Sequence, residues 1–158
     1  YFYNMKYLLI NFKGLPTYGW IEYSEENGLF ISEQENFSSF DEISNIAKNE
    51  TCIVIDELAT DEPTLSISLE NLLKSKYSIT TQKVTNALKK INSSGKVVSH
   101  LDREDYQRLA TPIKATGDSI TKYFEKHSLW NFEKYLKLNN HSYKDYQTFE
   151  ARVILESK

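Results

Sequence analysis

The stretch Thr51–Leu58, TCIVIDEL, most constrains what this chain can fold into. Cys52 to Ile55 is its most concentrated apolar run, and two adjacent acids, Asp56 and Glu57, close it. A short β-branched run bounded by polar residues predicts a central strand buried on both faces. The acids then stand at the carboxyl end of that strand, where ligands and metals bind in open α/β sheets. A solvated strand exit accounts for the same two residues.

The segments before this run predict the rest of a sheet. Lys6–Phe12 reads as a strand, and Lys13–Thr17, with Gly14 and Pro16, as a turn. Tyr18–Tyr23 is a second strand. Asn27-Gly28 is a hairpin signal, because both residues tolerate positive φ, and Leu29–Ser32 is a third strand. Three such strands in a row predict an antiparallel meander. Ser39 and Glu42 form a capping-box pattern ahead of a helix with Phe40, Ile43, Ile46 and Ala47 on one face. A strand–helix–strand order then favours a parallel crossover into the same sheet.

The later chain predicts helices. Val84, Ala87, Leu88 and Ile91 make a stripe capped by Thr80 or Thr81 and ended by Asn92-Ser-Ser-Gly95. Lys96–Ser99 is a candidate fifth strand. Residues 69–95 also have the length of a helix-turn-helix. Beyond Leu101 the pattern is helical throughout: Asp102 caps one helix, Thr111-Pro112 has N-cap and N1 chemistry for another, Trp130 to Leu136 marks a third, and Ser142 with Asp145 caps a last one carrying Tyr146 and Phe149.

A chain of 158 residues with 40% hydrophobic composition predicts a single domain with a core of its own. Tyr1 to Asn4 stand ahead of the only methionine, Met5, and belong to no predicted element. No apolar run approaches the roughly 18 residues of a membrane span, and no signal-peptide pattern is visible. A lone cysteine, Cys52, forms no intrachain disulfide; a cytoplasmic location is the expectation. Charge is split sharply. Residues 1–70 hold 13 Asp/Glu and 3 Lys/Arg, a net of −10, whereas residues 71–158 hold 9 and 16, a net of +7. The split suggests an anionic partner for the basic half, although the two halves can equally complement each other within one fold.

Familiar catalytic signatures are missing from the sequence. It carries no phosphate-binding glycine loop and no H-E-x-x-H helix. One cysteine and three scattered histidines, His100, His127 and His141, argue against a zinc site. Cys52, mid-strand, is a poor nucleophile.

The element order resembles the ribonuclease H-like superfamily, and within it RuvC-type Holliday-junction resolvases. The likeness rests on Leu9–Gly14 with Thr17–Trp20, on Ile53–Glu57, on Lys144–Arg152, and more weakly on Ile113–Asp118. It implies an α/β fold with a mixed sheet: a three-stranded antiparallel meander, a crossover helix and a central parallel strand, followed by a helical second half. It also implies Mg²⁺-dependent cleavage of branched or structured DNA. Two ions about 4 Å apart require three or four converging carboxylates, and Mg²⁺ prefers hard oxygen ligands. Glu57 (or Asp56) and Asp145 (or Glu150) would supply two of them. Asn11 stands where the family has the first-strand acid, so the resemblance implies a cage short of one charge. Lys114, Lys122, Tyr123, Lys134, Tyr135 and Lys144 would track nucleic acid, and a homodimer is allowed.

A second function class is open at this point. A small acidic non-catalytic interaction protein, such as an immunity protein or an inhibitor of a nucleic-acid-binding enzyme, would present its acidic first half to a basic protein partner. Trp20, Tyr18 and Tyr23 would be the aromatic anchors.

Overall fold

The computed structural model describes residues 4–56, 73, 78–84, 86–138 and 147–150. Strands β1 (Asn4–Asn11), β2 (Thr17–Ser24) and β3 (Gly28–Ile31) form the expected meander, with the short β4 (Glu35–Asn36) also on β2. Gly28, at φ 74°, closes the hairpin from β2 into β3. Ser39 caps a 3₁₀ turn, Phe40–Glu42, by accepting from Asp41 N–H, and Ser38 N–H donates to the Glu42 carboxylate at 2.9 Å. The turn leads into α1 (Ser44–Ala47), and Phe40, Ile43 and Ala47 are buried. The chain then enters β5 (Thr51–Ile55), parallel to β1 in the register Leu8–Cys52 to Asn11–Ile55.

β5 is buried on both faces, as its apolar run predicts. Cys52 and Val54 join the larger core with Leu8, Ile10, Ile113 and Ala115. Ile53 and Ile55 join the smaller one with Leu9, Ile21, Tyr23 and Leu73. The period-2 alternation of strand side chains assigns neighbouring residues to opposite cores.

The second half departs from the expected helices. Strands β6 (Ser78–Lys83), β7 (Leu88–Ile91), β9 (Gln107–Thr116) and β10 (Gln147–Glu150) occupy stretches expected to be largely helical, whereas β8 (Val97–Leu101) falls on the candidate fifth strand. The described strands make an eight-stranded sheet in the order β10-β6-β9-β5-β1-β2-β3, with β4 on β2, and a separate β7–β8 hairpin. The sheet is mixed and mostly antiparallel; β1–β5 and β6–β10 are the parallel pairs.

Several departures have a local cause. Asn92 Oδ1 accepts from Ser94 N–H at 2.9 Å and Lys96 N–H at 3.0 Å, and Gly95 has φ 80°. The stretch expected to end a helix therefore turns a hairpin, and Leu88–Ile91 pairs with Val97–Leu101. This also removes the helix-turn-helix reading. Asp102 caps as expected, but only a 3₁₀ turn, Arg103–Asp105, before β9 begins. Thr111-Pro112 starts no helix. It sits where β9 slips against β6, between the pairs Ile79–Ile113 and Thr80–Ala110, an irregularity that tolerates a proline without N–H. Gln147–Glu150 lies in a strand instead of a helix.

Helices α2 (Gly117–Phe124) and α3 (Phe132–Leu138) cover the larger core. Thr116 caps α2 by accepting from Ser119 N–H at 3.2 Å. Gly117 heads α2 in direct contact with the end of α1: it donates to Glu50 O at 2.8 Å, and a Cβ there would stand 1.7 Å from Ala47 O. Gly117→Ala should therefore destabilise the protein by about 3 kcal/mol or more, since the clash is with backbone. Gly28→Ala has open space and strains only φ, for about 1 kcal/mol. Urea midpoints of the two variants check this order; equal midpoints would remove the close approach at Gly117.

Candidate functional site

The carboxyl ends of the parallel pair β1 and β5 open into a cleft of about 1500 Å³. Phe12 N–H donates to Ile55 O at 2.7 Å, which ties the two strand ends together. Phe12 and Pro16 of the β1–β2 turn, the segment 37–41, Asp56, and the chain from Phe124 to Glu133 line the cleft.

Its wall is aromatic. Phe12 stacks on Trp130 with ring centres 5.2 Å apart and planes 12° from parallel, and meets Phe124 at 5.7 Å. Phe124 in turn stacks on Phe40 at 4.8 Å. Trp130 Nε1 is buried with no acceptor among the described residues, an exception to the rule that buried donors are satisfied. Asp41, Asp56, Glu125 and Glu133 line the same cleft, against Lys126 and His127. The lining is therefore negative at neutral pH.

Asn11, the last residue of β1, is in register with Ile55. Its Oδ1 accepts from Lys13 N–H at 2.8 Å, so the side chain shapes the turn after β1. Asp56 follows β5 directly and is half-buried. Glu57, Asp145 and Lys144 lie outside the described residues. Glu150, on β10, is three strands from β5, about 14 Å at the usual strand spacing, so the fold does not bring it to Asp56. Among the described residues no group of three or more His, Cys, Asp or Glu could hold a metal ion.

Three of the residues expected to track nucleic acid are drawn into or against the two cores. Tyr123 and Tyr135 are buried in the larger core. Tyr123 OH donates to Leu129 O, Tyr135 OH bonds Ser119 Oγ at 2.7 Å, and burial raises both phenol pKa values. Lys114 lies against the smaller core, its Nζ donating to Leu73 O at 3.3 Å and resting 5.1 Å over the Tyr7 ring; burial lowers its pKa. Lys122 and Lys134 are exposed. The aromatic wall was missed from the sequence, although Phe12, Phe124 and Trp130 each follow or end an element whose apolar stripe was legible.

No family model matches the chain, and no curated protein does. Solved structures do show similarity. One is a 4-diphosphocytidyl-2C-methyl-D-erythritol synthase from Anaerococcus prevotii, at 15% identity and TM-score 0.47, covering 65% of this chain and 48% of that one. A second structure of a 4-diphosphocytidyl-2C-methyl-D-erythritol synthase matches at 15% identity and TM-score 0.48, covering 72% and 53%. The chain spans about half the length of these structures. A likeness of this size assigns no activity or residue role. In this fold β5 is flanked by the antiparallel β9, and the second half is rich in strands where the resemblance implied helices. The ribonuclease H-like and resolvase resemblance is corrected accordingly, and with it the expected DNA-cleaving activity. Among the described residues no helix is long and apolar enough to cross a membrane.

Cys52, fully buried at the core of β5, has its thiol pushed from the ordinary 9.0 up to about 12, chiefly by burial and then by Glu50 and Asp118. A thiol pKa raised on folding means the native state holds its proton where the unfolded state loses it. This contribution is whole below pH 9.0 and is lost as pH rises toward about 12. Native protein at pH 8 should react with a thiol reagent only as fast as it unfolds, and fully in urea. Rapid native labelling would show that Cys52 is accessible.

Proposed function

We propose that this chain is a ligand-binding protein whose cleft at the carboxyl ends of β1 and β5 takes a small planar molecule carrying positive charge. One observation carries the reading: the Phe12–Trp130 stack and the carboxylates of Asp41 and Asp56 line the same cleft. A planar cation matches both features. Its ring adds to the aromatic wall, and its charge meets carboxylates and ring faces together. The position is also where open α/β sheets bind ligands, because loops diverge from the strand ends and leave a crevice. Phosphate-rich ligands fit poorly against a negative lining. Mg²⁺ has a place in this reading only as a competitor for the cleft carboxylates.

Benzamidine and its neutral analogue benzamide separate the ring from the charge. Calorimetric titration should give a benzamidine Kd of about 1 mM, with benzamide about tenfold weaker. Asp56→Asn should weaken benzamidine by about tenfold and leave benzamide unchanged, with an unaltered circular dichroism spectrum as the folding control. Equal binding of the two probes, or an Asp56→Asn variant that binds like the parent, would overturn the assignment.

A further inference from the structure

We infer that the outer edge formed by β3 docks an extended, basic polypeptide segment, through a surface separate from the cleft. β3 ends the sheet path, so among the described residues one side of its backbone has no neighbouring strand. Ser32 N–H donates to Trp20 O at 2.9 Å, and the register pairs Phe30 with Glu22. In an antiparallel ladder alternate residues bond inward. The N–H and C=O groups of Leu29 and Ile31 therefore point away from β2, toward an added strand.

The side chains on this edge specify the occupant. Lys6, Glu22 and Phe30 lie side by side across β1, β2 and β3. Phe30 is 63% exposed and Ile31 38% exposed. Exposed edges in stable proteins are usually blunted by lysine or proline, and this edge has neither. Residues 14–47 hold seven Asp/Glu and no Lys or Arg. Lys6 offsets Glu22 at 4.0 Å, while Glu25, Glu26 and Glu33 have no cationic partner among the described residues. A second copy of this chain would bring an equally acidic edge, and like charges across an interface are unfavourable. A strand alternating basic and apolar residues complements the edge: its backbone pairs with Leu29 and Ile31, its apolar side chains cover Phe30, and its cations meet the glutamates.

A fluorescent peptide of about ten residues alternating lysine and valine probes the edge by anisotropy. It should bind the full chain, and the affinity should fall as NaCl rises from about 0.05 M to about 0.5 M. Phe30→Ser, at an exposed position, should weaken binding by about tenfold. Ile31→Pro, which deletes an outward N–H, should weaken it as much. Asp56→Asn should leave it unchanged, so failure of the cleft assignment and failure of this one are separable. The inference is overturned if an alternating glutamate and valine peptide binds equally well, if Phe30→Ser binds like the parent, or if sedimentation shows the chain self-associating through Phe30 in place of taking the peptide.

Discussion

Four consecutive side chains of β5, Cys52 to Ile55, are buried on alternating faces, and both cores of the protein depend on them. A strand so placed needs partners on both edges. β1 supplies one in parallel and β9 the other in antiparallel register. The parallel pairing requires the chain to cross over between β1 and β5, and the meander, the 3₁₀ turn and α1 make that crossing. The antiparallel pairing brings the end of β9 beside the start of β5, which sets Gly117 against Ala47 and docks α2 over the larger core.

The cleft is a consequence of the same pairing. β1 and β5 run in one direction and stop together, joined by the Phe12–Ile55 hydrogen bond. Their loops leave in different directions, and α2 with the chain that follows it covers one side. Phe12, Phe124 and Trp130 pack where those segments meet, with Asp41 and Asp56 alongside. The acidity of the first half is directed outward in the same way. Among the described residues its ion pair is Lys6–Glu22, internal to the first half, so nothing described there shows the basic half neutralising it.

Legibility from sequence followed the range of the interactions involved. The meander, the Asn27-Gly28 turn, the Ser39 and Asp102 caps and the burial of β5 rest on residues within a few positions of each other, and each was readable. The Val84 to Ile91 stripe was readable in the wrong period. Four apolar positions fit one helical face, but Leu88–Ile91 instead pairs with Val97–Leu101 across the Asn92–Gly95 turn. Thr111-Pro112 was ambiguous for a related reason: fixed φ and a missing N–H suit the first turn of a helix and a break in a strand ladder alike. Lys114, Tyr123 and Tyr135 looked like surface contacts because a sequence does not state which face a side chain takes.

From the sequence alone came the central buried strand, the acid at its exit, the acidic and basic halves, and the absence of glycine-rich phosphate loops. These depend on composition and on neighbours along the chain. Only the tertiary structure decided that the second half adds strands to the sheet, that Glu150 lies far from Asp56, and that an aromatic wall faces the strand ends. Those outcomes depend on pairings between segments distant in sequence, where burial on a shared sheet outweighs local helical preference.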